Sequence, residues 1–362
     1  MHALQKPARF LWFCFLLFAG LYFSKTVLVP LTIAGLLAML VLPLATWFEK
    51  KGIKRGLAAV SCLVVMLIAI ALLLFVLQWQ FSGLLEDLSG IEQRITQLVS
   101  DLKQWISSNL GVSPKKQNEL IKEQQSSTSG QLSSVVTAVM NSLMSVAVDL
   151  ILVLVYIFLL LFFRSHLKAF VLKLTPPEDH LKARQVIQKS SEVAQSYLGG
   201  LGGMIVTLWV LYGVGFSIVG VEHAIFLGIL CGLFEIIPFI GNLTGTGLTV
   251  LITIAQGGDS SMIIGIILVY GLVQFVQTYV LEPLIVGSGV NINPLFTILG
   301  IVIGETIWGI PGMILALPLI GIIKIICDHV EALQPYGFLI GENKKKDDTS
   351  IMDKIKGLFG KS

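Results

Sequence analysis

"LFEIIPFIGN", residues 233–242, sits inside one of the most apolar parts of a 362-residue chain. It carries an acid, Glu235, a proline, Pro238, and a glycine, Gly241, within seven positions. Its meaning depends on the solvent around it. In a bilayer a carboxylate near the centre costs roughly 2.5–3.5 kcal/mol, and a proline frees a backbone carbonyl that lipid cannot satisfy.

Composition identifies that solvent. Charged residues make up 13% of the chain and hydrophobic ones 55%, whereas a soluble domain carries about 25% charge. A larger core does not explain the shortfall, because a soluble surface of this size would still need covering. Several apolar runs approach or exceed the roughly 20 residues that cross a bilayer, without the short alternating segments of a β-barrel. The expected fold class is all-α: a polytopic helical membrane protein with about eight transmembrane helices plus a C-terminal re-entrant or tilted hairpin. Cys14, Cys62, Cys231 and Cys327 are scattered through apolar runs without metal-ligand or redox spacing, and read as packing residues. The first apolar run, Phe10 to Phe23, lacks a small-residue cleavage site and reads as a retained helix.

Three helices are expected at 9–24, 27–48 and 57–79, making an N-terminal membrane unit over 1–81. Residues 82–142 are polar and read as an extracytoplasmic helical insert. Within it Leu88, Ile91, Ile95, Leu98, Leu102 and Trp105 recur at heptad spacing. That seam suits either a helix folded on its own domain or one meeting its copy in a homo-oligomer. "EQQSSTSGQ", 123–131, reads as a flexible link. A fourth helix covers 143–163, with Asp149 near its start, and a cytoplasmic amphipathic elbow covers 164–197, restarted after Pro176 and Pro177. The C-terminal core, 198–326, should hold helices at 198–219, 224–240, 243–256 and 262–282, then an apolar stretch broken by "WGIPG" at 308–312. Gly200, Gly202 and Gly203 suit close helix packing. Residues 327–362 form a tail, in which Ile351, Ile355, Leu358 and Phe359 share one face of a helix suited to the inner leaflet.

Orientation follows lysine and arginine. With the N-terminus, 49–55, 164–196, Lys324 and the tail on one side, that side holds 19 of the 25 basic residues. Both termini are then cytoplasmic. Eight crossings return residue 282 to the cytoplasm, so 295–326 must enter and leave on the same side.

Enzyme signatures are lacking: no H-E-x-x-H, no Walker lysine loop and no paired His and Cys. No cofactor, metal or nucleic-acid partner is expected. What remains are the acids within or at the ends of apolar runs. Glu235, Glu282 and Glu305 each lie close to a helix-disrupting residue, namely Pro238, Pro283 and Gly304. An acid, a broken helix and free carbonyls suit a proton, a cation or the hydroxyls of a polar solute. The plainer reading puts Glu235 and Glu282 at helix ends beside the headgroups. Glu222 and His223 read as loop residues, and Trp308 as an interfacial anchor.

"LTPPEDHLKARQV" at 174–186, "GLFEIIPFIGNLTG" at 232–245 and the run from "LEPLIVGSGVNINP" to "LIGIIKII" at 281–326 together resemble the autoinducer-2 exporter family of bacterial membrane proteins. The resemblance implies export of a small polar signalling molecule, and in some members exchange of sodium or lithium for protons. By position, Glu235, Pro238 and Gly241 match the family's proline–glycine motif, and Glu282, Pro283, Gly287, Asn293 and Pro294 its late loop. Asn293 stands where histidine is expected, Asn242 where proline or a base is common, and Gly199–Leu201 where arginine–glycine–glutamine is expected. The substrate or ion path implied comprises Glu235, Pro238, Gly241, Asn242, Glu282, Pro283, Gly287, Asn293 and Glu305, and the partners are the lipid bilayer and a small polar solute, with H+ or Na+ as coupling ions. The alternatives are a cation/proton antiporter and an oligomeric scaffold binding an envelope partner through 82–142.

Overall fold

The computed structural model describes residues 2–86, 150–237, 241–282 and 292–342. The heptad seam, the 123–131 link, residues 143–149 with Asp149, Pro238, Pro283, Gly287 and the 350–361 face lie outside the described residues. Among the described residues there is no strand, only an isolated bridge between Ile292 and Gly341. The fold is an all-α polytopic membrane protein.

Helices α1 (His2–Phe23), α2 (Lys25–Lys50) and α3 (Arg55–Glu86) follow one another with short breaks. The third runs past the change in composition at residue 82. Helix α4 (Leu150–Phe162) bends by 67° into α5 (Arg164–Leu174). After Pro176 and a turn at Pro177–Asp179, α6 (His180–Val219) continues unbroken for 40 residues, so the elbow and the next apolar span are one rod. Then come α7 (Ala224–Phe234), α8 (Gly241–Ala255), α9 (Ser260–Val276), α10 (Pro294–Trp308), α11 (Ile310–His329) and α12 (Gln334–Ile340).

Among the described residues, five helices are long and apolar enough to cross a bilayer, or six if the bent α4–α5 pair is one span. Side chains such as Phe75, Ile218 and Leu272 point outward, with Ile218 81% exposed. So large an exposed apolar surface needs lipid around it.

Helix α7 is shorter than the sequence suggests. It ends at Phe234 rather than near 240, and has 11 residues. At 1.5 Å per residue α7 spans about 17 Å and α8 about 22 Å, each less than the roughly 30 Å of a hydrocarbon core. They form a short hairpin: a Cβ on Gly245 of α8 would lie 2.9 Å from the Cα of Cys231 in α7. The second hairpin, α10–α11, is as tight, with Gly304 and Gly312 in backbone contact and the turn made by Gly309 at φ +66°.

Among the described residues, three cores hold these elements. Ala34, Ala38 and Ala45 of α2 pack with Ala59 and Cys62 of α3 and with Val153, Ile157 and Leu161 of α4. Leu208, Tyr212 and Phe216 of α6 pack with Leu227 and Cys231 of α7 and Ile266 and Val273 of α9. Leu36, Ala194 and Leu315 join α2, α6 and α11. Cys62, Cys231 and Cys327 are buried and unpaired, in keeping with a packing role.

Polar groups exposed by helix breaks are met individually. Pro43 inside α2 has no N–H for the Met39 carbonyl, and Gln195 of α6 supplies the donor instead, at 2.9 Å. Trp308, at the tip of the α10–α11 hairpin, donates its Nε1–H to the Leu21 carbonyl at the end of α1, at 3.1 Å. On the basic side, Arg164 at the α4–α5 bend pairs with Glu49 of α2 at 2.5 Å.

Two expectations change. The space beside Gly202 and Gly203 is open; the close approaches are made by Gly228, Gly232 and Gly245 instead. Residues 327–340 are no loose tail, because α11 runs on to His329, α12 packs against it with Gly337 on Asp328, and the Asn293 N–H bonds the Ile340 carbonyl at 2.8 Å.

Candidate functional site

The site is built by antiparallel packing. Along α6 and α7, Gly213 faces Gly228 and Trp209 faces Gly232; along α6 and α9, Gly215 faces Val269 and Val219 faces Gly265. Following α7 three residues past Gly232 places Glu235 about 20 Å along the α6 axis from its Gly220 end. The same registers bring Gln274 and Gln277 of α9 to that level. Gly241 opens α8 directly against the Phe234 carbonyl, and a Cβ there would also lie 2.9 Å from the Glu235 nitrogen, so the return of the chain requires glycine.

The result is a chain of amides ending on a carboxylate. Gln277, only 5% exposed, donates its Nε2–H to Glu235 Oε1 at 2.8 Å. Gln274 donates to Gln277 Oε1 at 3.3 Å and to the Tyr212 hydroxyl at 3.4 Å. Asn242, at the foot of α8, donates to Gln274 Oε1 at 3.2 Å. Direction is set at one end: an ionised carboxylate only accepts, so Gln277 must turn its NH2 toward Glu235, and each amide then orders the next. Glu282 follows a π turn at Gln277–Leu281, five residues on from Gln277, and is exposed. Such turns often occur at functional sites.

The other oxygen of Glu235, Oε2, is buried and has no partner. None of the ion pairs among the described residues involves Glu235 or Glu282, and no group there could hold a metal ion through three or more His, Cys, Asp or Glu side chains. The cluster therefore offers a free buried acceptor, Glu235 Oε2, in an amide-lined site. Amides do not titrate near neutral pH, so the carboxyl groups available at the cluster are those of Glu235 and Glu282.

Of the residues expected from sequence, the structure unites Glu235, Gly241, Asn242 and Glu282. Asn293 stands apart as the N-cap of α10, accepting the Leu295 N–H at 2.9 Å. Glu305 is exposed one turn before the α10–α11 tip, and no hydrogen bond or ion pair joins its side chain to the cluster. Pro238, Pro283 and Gly287 lie outside the described residues. Sequence reasoning passed over Gln274, Gln277 and Tyr212. Two glutamines three apart in the apolar run "VYGLVQFVQTYVL" were the available signal.

Residues 11–332 match the AI-2E family transporter family. The chain belongs to that family. Relatives include "Putative transport protein YhhT" of Escherichia coli (strain K12), 25% identical over 96% of both chains. "Putative transport protein YrrI" of Bacillus subtilis (strain 168) is 24% identical over 84% of this chain and 87% of its own. "Putative permease PerM" of Escherichia coli (strain K12) is 25% identical over 85% and 89%. The match covers the α6–α9 unit and the α10–α11 hairpin. The protein is a multi-pass membrane transporter of this bacterial transporter family, which is not an enzyme family.

Proposed function

We propose that the protein is a secondary carrier or facilitator exporting a small polar solute of the autoinducer-2 kind across the bacterial inner membrane, with proton or sodium coupling at Glu235. The observation that carries this reading is the half-partnered Glu235 carboxylate, buried at the turn of the short α7–α8 pair and approached by the Asn242–Gln274–Gln277 chain. A buried carboxylate with a free oxygen is costly unless a proton, a cation or a solute hydroxyl completes it. The lack of an ion-pairing base among the described residues favours such a ligand over an anion. Glu282 is a secondary group of the same site. Glu305 is left out, because its exposed position beside the hairpin tip suits the headgroup level.

In the membrane, α7–α8 is the re-entrant pair, entering from the external side. Helices α1, α2, α3, α4, α6, α9, α10 and α11 then make the eight crossings and keep both termini cytoplasmic. An oligomer is proposed on the Leu88–Trp105 seam alone. The test is transport in Glu235→Gln, an isosteric change without the charge. Flux falls about tenfold or more, about 1.4 kcal/mol in the barrier, and loses its pH dependence, whereas Glu305→Gln keeps both. Unchanged flux and pH profile in Glu235→Gln would remove Glu235 from the path.

A further inference from the structure

Helix α8 carries a second polar feature. Asn242, Thr246, Thr249, Thr253 and Gln256 recur at spacings of four and three, so they share one face. That face is turned inward: Thr246 is 8% exposed, Thr249 0% and Thr253 2%. The opposite face carries Leu243 and Leu251, 67% and 64% exposed. Thr249 is satisfied by the Gly245 carbonyl at 2.9 Å. The hydroxyls of Thr246 and Thr253 and both amide atoms of Gln256 are buried without any partner.

Buried polar groups nearly always find a partner in protein or ordered water. Here the unpartnered groups lie in a row about 15 Å long, from Thr246, one turn above the foot of α8, to Gln256 at its far end. The foot meets the Glu235 cluster through Asn242. The far end leads to the Gln256–Asp259 turn, where Met262 lies against Gly220 at the end of α6. This is the opposite end of α6 from Lys182 and Lys189, whose partners are Glu331 and His329. The row thus connects the carboxylate to the side away from the basic elbow.

We infer that the inward face of α8 is the wall of a hydrated half-channel, in which Thr246, Thr253 and Gln256 hydrogen-bond water and the passing hydroxyl-bearing or hydrated solute between Glu235 and the external face. The inference rests on Glu235 being a path group and assigns the outer half of that path. Hydroxyls and a neutral amide both donate and accept, so the wall fits a solute that does the same and carries no fixed negative charge.

Two measurements test it, in full-length protein with Cys14, Cys62, Cys231 and Cys327 replaced by alanine. A membrane-impermeant cationic thiol reagent added from outside labels Gln256→Cys fastest, then Thr253→Cys, then Thr246→Cys, and leaves Leu243→Cys and Leu251→Cys unlabelled. Equal protection of Thr246→Cys, Thr253→Cys and Leu251→Cys overturns the half-channel, whether or not Glu235→Gln loses flux. In the second measurement Thr253→Val and Thr246→Val, which keep shape and remove the hydroxyl, retain or raise the thermal midpoint and lower flux about tenfold, while Thr253→Ser keeps flux. A lower midpoint with unchanged flux would make the hydroxyls structural and overturn the assignment. Loss of flux in the valine variants alongside a neutral Glu235→Gln would leave the wall standing and remove the carboxylate.

Discussion

Gln277 determines what Glu235 can do. By donating to one carboxylate oxygen and accepting from Gln274, it holds the acid ready while leaving the second oxygen open. The acids were legible in the sequence because a charge in an apolar run stands out by its cost. The glutamines were not, since a neutral amide in a helix costs far less. Gln277 gains its role only when α9 returns beside an acid 42 positions away. A different single residue sets a pH response at the protein surface. Asp259, the N-cap of α9, accepts the Met262 N–H at 3.0 Å and the Ser261 hydroxyl at 2.8 Å. The Met262 N–H above all, then the Ser261 hydroxyl, holds its carboxyl below the usual range. A depressed folded value means the stabilisation is complete above the unfolded value, near 4, and is lost as pH falls through the lower folded one. Wild type should therefore exceed Asp259→Asn in thermal midpoint by a constant margin from pH 7 to 5, and the margin should close below about pH 4. A margin independent of pH would count against the ionised cap.

Helix contacts fix where that chemistry sits. At the crossing of α6 and α7 a Cβ on Gly228 would stand 2.6 Å from the Gly213 nitrogen and 2.9 Å from its Cα, both backbone atoms that cannot turn aside. Gly228→Ala should therefore push α7 away, at about 1–3 kcal/mol for an overpacked core, and lower the midpoint in detergent. Gly271→Ala in α9, where nothing lies within 4 Å, should be neutral or stabilising, since alanine favours helix by about 0.5–1 kcal/mol. Equal loss in both would mean that the α6–α7 contact is not tight. Helix positions were largely legible from apolar period and prolines: the start of α6 after Pro177 and the breaks at 220–223, 256–259 and 309 fall close to expectation. The end of α7 was not. "LFEIIPF" stays apolar past Phe234, and hydropathy does not record that Gly241 folds back onto the Phe234 carbonyl. Nor does composition distinguish the glycines that face open space, Gly202 and Gly203, from those that seat a neighbouring backbone.

At the scale of the whole molecule, five helices among the described residues are long enough to cross, six with the bent α4–α5 pair, and the eight crossings proposed above use different elements from those expected. The sequence suggests full crossings at 224–240 and 243–256 and a re-entrant or tilted hairpin at 295–326. The 11 residues of α7 and the bond from Trp308 to the end of α1 favour the reverse, while α8 and α10, at 15 residues each, do not discriminate. Ile310, 52% exposed beside the Gly309 turn, makes the two arrangements distinguishable: Ile310→Cys should react with an impermeant reagent added outside, and reaction only from the cytoplasmic side would restore a re-entrant α10–α11. Either arrangement keeps Glu235 at the inner end of a polar face reached from outside. The most direct measurement of that central claim is solute counterflow into proteoliposomes, with wild type, Glu235→Gln and Glu305→Gln compared at several pH values. The account predicts pH-dependent exchange by wild type and Glu305→Gln, and near-background exchange without pH dependence by Glu235→Gln. Exchange by Glu235→Gln equal to wild type at every pH would contradict it.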